Sequence, residues 1–247
     1  MSDQELDATA RRLARLYCEL WSTGDANIVR QIFRPDARHV AGLEQPWDEF
    51  IRDLRTNFPD LERPLEHAYV EDDVLIIRTR MQGTHTGSAG YFQFPATGVR
   101  MDIPAVTAFR VRAGLLAEEL WSEYDLASVE KSMTARVVAD YLESVWGQGD
   151  LDTLKTHVAS GHVLHLNGKE NAVEGRRRLG QFVTTSRERW DSGAFQVLDC
   201  IAGGEWGERV AYRWSAAEPA EDASAVHGIG FARLHSGAIV EEWLQLA

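Results

Sequence analysis

Apolar residues recur at helical spacing in two distant stretches of the chain. One holds Ala10, Leu13, Tyr17 and Leu20, the other Val138, Tyr141 or Leu142, and Val145. Each run ends at a glycine, Gly24 or Gly149, where a helix C-terminus favours a left-handed residue. Asp25 and Asp150 follow at once, where the next helix wants an N-cap. A third amphipathic helix is predicted through Phe50, Ile51 and Leu54, mirrored by Leu179, Phe182 and Val183. After it the period changes to that of strands: "VLIIRTRMQG", "VRMDIPAVTAFRV" and "GLLAEELWSEY" in the first half, "RVAYRWSA", "VHGIGFARL" and "AIVEEWLQLA" in the second. Helices first and a meander afterwards predict an α+β fold, with helices packed across the concave side of a curved antiparallel sheet. Such a cone encloses a pocket.

The pattern is an internal repeat. "YCELWSTGDANIVRQIF" (17–33) answers to "LESVWGQGDLDTLKTHV" (142–158), with Trp21, Gly24 and Asp25 matching Trp146, Gly149 and Asp150 without a gap. "FRVRAGLLAEEL" (109–120) answers to "ARLHSGAIVEEW" (232–243), with Arg110 and Gly114 matching Arg233 and Gly237. Trp21 to Gly114 is 93 residues and Trp146 to Gly237 is 91, so two domains are expected, at 1–127 and 133–247. The copies differ in one hairpin: Arg78 to Gly114 is 36 residues, the matching Arg213 to Gly237 only 24.

Composition is that of a globular chain, 44% hydrophobic and 26% charged over 247 residues. A net charge of −12 argues against a nucleic-acid partner, which needs clustered Lys and Arg. The one basic cluster, "GRRRLG" (175–180), reads first as a solvated helix face. Cys18 and Cys200 cannot build a disulfide framework and lie in apolar segments, as buried inert thiols do. "MSDQELDATARRL" lacks a signal peptide's apolar core, and no apolar run is long enough for a membrane. A cytoplasmic location and no membrane partner are the expectation. His162 and His165, three apart in a predicted strand, point to opposite faces, so no metal site is expected.

The order helix–"WxxGD"–helix, then "FPDL" (58–61), "RTRMQGTHTG" (78–87), "PATG" (95–98) and "FRVRAGLLAEE" resembles the SnoaL-like polyketide cyclases of the nuclear transport factor two-like superfamily. The first repeat matches over nearly its whole length, the second in its helices and last two strands. The resemblance implies two tandem cone-shaped domains and a pseudo-dimer within the chain, with a further homodimer open. It also implies cofactor-free acid/base chemistry on a small hydrophobic, polyketide-like substrate, such as an aldol ring closure or an isomerisation. The family's acid generally lies seven residues before the glycine of the last turn. Thr107 stands there in the first repeat and Gly230 in the second, and neither ionises.

The proton chemistry must then sit elsewhere, or be absent. Even spacing puts Met101, Ile103, Ala105, Thr107 and Phe109 on one strand face and Asp102 on the other. Glu119, Trp121 and Glu123 are expected to share a face, so that either carboxylate projects into the cone beside Trp121. In "GTHTG" (83–87) the glycines permit close backbone approach and the threonines can fix the tautomer of His85, an imidazole suited to general acid or base work. The same stretch also reads as an exposed hairpin end. The catalytic candidates are thus His85, Glu123, Glu119 and Asp102. Tyr17, Trp21, His39, Thr107, Phe109, Trp121 and His227 are the candidate substrate contacts. Two alternatives stay open: epoxide opening by paired carboxylates, Asp36 with Glu62 or Glu66, and a non-catalytic small-molecule binder.

Overall fold

The computed structural model describes residues 3–38, 46–166, 172–188, 195–216 and 226–246. The chain divides into two compact units, residues 1–92 with 98–126, and residues 93–97 with 127–247.

The first unit opens with α1 (Asp3–Thr23) and α2 (Ala26–Ile32). Gly24 between them is left-handed, and Asp25 caps α2 by accepting from the Asn27 N–H at 2.9 Å. Then come β1 (Phe33–Arg38), α3 (Trp47–Asn57), β2 (Leu65–Glu71), β3 (Val74–Thr84), β4 (Arg100–Arg112) and β5 (Leu115–Tyr124). The sheet order is β1-β5-β4-β3-β2. Buried and exposed positions alternate along β3 and β4, and the buried set faces the helices.

The second unit repeats the plan. It comprises α4 (Leu126–Tyr141), a π-helical turn (Leu142–Gln148), a 3-10 turn (Leu151–Thr153), α5 (Leu154–His157), β6 (Val158–Leu166), β7 (Val173–Glu174), α6 (Gly175–Arg187), β8 (Gln196–Gly203), β9 (Arg209–Ala216), β10 (Val226–His235) and β11 (Ala238–Leu246). Its sheet order is β7-β6-β11-β10-β9-β8.

Neither sheet is purely antiparallel. β1 lies parallel to β5, and β6 parallel to β11. The meander expected from sequence is the antiparallel part; β1 and β6 close each sheet with a strand that follows the helical hairpin. One arginine device also recurs. Arg55 on α3 donates to the carbonyls of Trp21 and Ser22 at 3.1 and 2.7 Å, and Arg187 on α6 donates to those of Trp146 and Gly147. In both units a guanidinium satisfies the orphan carbonyls at the end of the first helix. Among the described residues no helix is long and apolar enough to cross a membrane.

Candidate functional site

In the first unit a cation lies inside the apolar core. Arg63, just before β2, is fully buried. Its Nε donates to Thr79 Oγ1 at 2.9 Å, Nη1 to the Tyr17 hydroxyl at 3.1 Å, and Nη2 to Thr107 Oγ1 at 3.1 Å. The guanidinium also lies over the rings of Tyr17 and Trp21, 4.8 and 4.5 Å from their centroids. Around it stand Phe33 and Trp47, stacked at 4.7 Å, and Phe109, edge-on to Tyr17 at 5.1 Å. A buried cation needs a counter-charge or it costs several kcal/mol. Glu119 on β5, 3% exposed, is a carboxylate of the same interior. Burial pushes the Tyr17 phenol up to about 12; the Arg63 charge opposes that rise and the Glu119 charge adds to it. Tyr124 is raised chiefly by burial, with Glu119 and Arg63 again acting in opposite directions. Both charges therefore bear on the same two phenols.

In the second unit the interior is organised about an anion. Glu242 on β11 is fully buried. It accepts from the Tyr141 hydroxyl at 3.0 Å and from the Tyr212 hydroxyl, and Trp146 Nε1 donates in turn to the Tyr141 oxygen at 3.0 Å. His162 Nε2 lies 3.6 Å from the carboxylate, and neither ring nitrogen has a hydrogen-bond partner among the described residues. Burial and the Glu242 charge hold both phenols well above their ordinary range. The π-helical turn sets this geometry. Tyr17 and Trp21 are four residues apart on an α-helix, whereas Tyr141 and Trp146 are five apart, and the Gly149 N–H reaches five residues back to Ser144. One extra residue is absorbed, so that both the tryptophan and the tyrosine face inward. Aromatic rings also crowd β10: a Cβ on Gly230 would stand 2.1 Å from the Tyr212 ring, and one on Gly228 2.1 Å from that of Trp214.

Two family models match in tandem. The model for SnoaL-like polyketide cyclases covers residues 11–133, and that for the SnoaL-like domain covers residues 138–242. The chain is a tandem SnoaL-like protein. Solved structures similar to it include TsrD from Streptomyces laurentii, 24% identical with a TM-score of 0.46, covering 51% of this chain and 95% of TsrD. An IdmH loop-truncation variant is 21% identical with a TM-score of 0.38, covering 45% of this chain and 90% of its own. No curated protein matches the sequence.

Within the first SnoaL-like domain the expected residues separate. Ala108 pairs with Trp121 and Phe109 with Glu119, so Leu120 is an extra residue, a bulge. The bulge corrects the expected common face: Glu119 turns inward, while Trp121 and Glu123 turn outward and are exposed. Asp102 lies on the face opposite Thr107, exposed, with Arg80 at 2.8 Å and Gln82 at 3.2 Å holding its carboxyl below the usual range. Asp36 on β1 pairs with Arg34, and Glu66 on β2 with Arg78. They occupy opposite edges of the sheet, so they form no carboxylate pair.

His85 is not at an exposed hairpin end. It is fully buried, tilted against Phe58 at 5.4 Å, with Nε2 3.4 Å from Asn57 Nδ2. Asn57 in turn clamps both the N–H and the carbonyl of Phe92. The glycines of "GTHTG" serve this closure: a Cβ on Gly87 would stand 1.8 Å from the Thr56 carbonyl oxygen. Burial holds the imidazole below its ordinary pKa. His85, just past the end of β3, lies six residues beyond Thr79, roughly 20 Å at 3.3 Å per residue, so it does not join the Arg63 cluster. His227 is exposed on β10, and His39 lies outside the described residues. Tyr17, Trp21, Thr107 and Phe109 all belong to the buried interior.

Arg63, Tyr141, His162, Tyr212 and Glu242 are the polar core residues that sequence reasoning missed as a set. One signal was available. Glu119 and Glu242 each stand five residues past the last-turn glycine, Gly114 or Gly237, in the matched repeat.

Proposed function

We propose that the first SnoaL-like domain is a cofactor-free acid/base catalyst that closes a ring by an aldol-type step, or isomerises, a small hydrophobic polyketide-like intermediate. The observation that supports this is a guanidinium and a carboxylate buried in one interior, beside the position where the family's acid is expected and Thr107 stands instead. In this reading the Glu119 carboxylate takes a proton from a carbon next to a carbonyl. The electron pair moves onto the carbonyl oxygen, whose developing charge Arg63 stabilises. The enolate carbon then attacks a second carbonyl of the same molecule, and the new alkoxide recovers a proton from Glu119. Tyr17, kept neutral by burial, orients and donates a hydrogen bond. The aromatic walls of Phe33, Trp47 and Phe109 favour an apolar substrate.

The second domain is read as structural, because Tyr212 and Trp214 occupy its interior against Gly230 and Gly228. The test is turnover of a linear polyketide ketone by Glu119→Gln and Arg63→Met proteins whose circular dichroism matches the parent. Loss in both supports the proposal. A ligand that binds equally to all three proteins with no turnover in any would replace it with the binding-protein reading.

A further inference from the structure

One open groove lies outside both cone interiors. It occupies about 570 Å³ on the second domain, between α6 and the segment of the 3-10 turn and α5. Leu151 and Leu154 supply an apolar floor, and Gly180 completes it from α6. A glycine in a helix interior costs roughly 1 kcal/mol relative to alanine. Here its missing side chain matters: a Cβ on Gly180 would meet Leu151 and Leu154 at 3.5 Å, ordinary contact, so anything longer than a methyl would run into the groove. Gly180 carries no left-handed φ, so its backbone does not require glycine. The vacancy of the floor is what the glycine supplies.

The rim is cationic in a chain of net charge −12. Lys155, Arg176 and Arg177 line it against one carboxylate, Asp152, whose backbone N–H donates to Asp150 Oδ1 at 3.1 Å. Arg176 is fixed by donating to the carbonyls of Val158 and Lys155 at 2.6 and 3.4 Å. Lys155 and Arg177 form no ion pair among the described residues. Gln181 and Thr185 add polar groups along the same helix face.

We propose that this groove binds a free amphipathic anion, an aliphatic chain lying over Leu151, Leu154 and Gly180 with a carboxylate head between Lys155 and Arg177. Charge complementarity selects the head, and the open floor selects the chain. The "GRRRLG" stretch then serves as a ligand rim and not only as a solvated face. The inference is independent of the reaction assigned to the first domain.

The test is calorimetric titration of the full chain with decanoate, decanol and acetate, each below its self-association limit. Decanoate is expected to bind at least about tenfold more tightly than either control, a difference of about 1.4 kcal/mol. Lys155→Glu with Arg177→Glu is expected to weaken decanoate about tenfold or more, and Gly180→Leu to do the same by filling the floor. Gly180→Ala, which adds only a methyl in ordinary contact, is expected to keep affinity within about threefold and to raise the thermal midpoint. Equal binding of decanoate and decanol, or indifference of affinity to both the charge-reversed and the filled variants, overturns the proposal. So does binding to phosphatidylglycerol vesicles with none to monomeric decanoate, which would make the groove a membrane contact.

Discussion

The two SnoaL-like domains place a carboxylate at the same point of the last strand and surround it differently. In the first, Glu119 shares its interior with Arg63, whose guanidinium is wrapped by the hydroxyls of Tyr17, Thr79 and Thr107. In the second, Glu242 is held by Tyr141 and Tyr212, with His162 beside it and the rings of Tyr212 and Trp214 packed over Gly230 and Gly228. A cation and an anion held in one interior can act on opposite ends of a polarised substrate. A carboxylate that accepts from two buried phenols ties its strand to α4 and β9 and serves the core. The difference lies in the company each acid keeps: a buried guanidinium in the first domain, two phenols and an imidazole in the second.

Under the proposed function, turnover should separate the domains most sharply. Glu119→Gln is expected to lower turnover of a linear ketone by 10²–10⁴-fold, the range typical of a lost general acid or base. Glu242→Gln is expected to leave turnover within a few-fold, measured side by side at one pH. Equal losses in the two variants would erase the division of labour.

Stability should run the other way. Glu242→Ala strands two buried hydroxyls and is expected to cost about 3–5 kcal/mol, the usual penalty for breaking a buried charged network. Urea denaturation of the full chain reads it as a lowered midpoint, and a shift of under about 1 kcal/mol would mean that the network carries little. The π-helical turn offers a smaller cut. Removing Leu142 restores α-helical spacing and should swing Tyr141 off Glu242, at about 1.5–3 kcal/mol for a hydrogen bond to a charged group. If Tyr141→Phe cost as much in the Leu142 deletion as in the parent, the hydrogen bond to Glu242 would still be in place and that account would fail.

Much of this fold was legible in the chain. Gly24 and Gly149 are left-handed as their helix ends require, and Asp25 and Asp150 accept from N–H groups two residues on. The runs read as strands became β3, β4, β5, β9, β10 and β11 with shifts of a residue or so. The parallel partners β1 and β6 were harder to see, because a closing strand draws its hydrogen bonds from a distant element. The site was less legible for a related reason. Strand alternation predicts faces only while register holds, and one extra residue at Leu120 reverses Trp121 and Glu123. The π turn does the same to a helix. Arg63 was hidden because nothing local distinguishes an arginine that buries its head group from the many that stay in water.

The smallest effect tests the residue whose placement differs most from its expected role. His85 is buried and held below its ordinary pKa by desolvation, and His157 in the second domain is lowered by the same cause, with Asp140 opposing. A histidine with a depressed folded-state pKa binds its proton more readily when unfolded. Its contribution is therefore intact above the unfolded value, about 6.5, and is lost as pH falls from there towards the folded value. The urea midpoint of the parent should decline on acidification from pH 7.5 through 6, and His85→Gln should make that decline shallower while keeping a polar contact to Asn57. Linkage acts whatever the role of His85, so turnover tells the roles apart: a proton-shuttling His85 would lose it in His85→Gln, and a structural one would keep it.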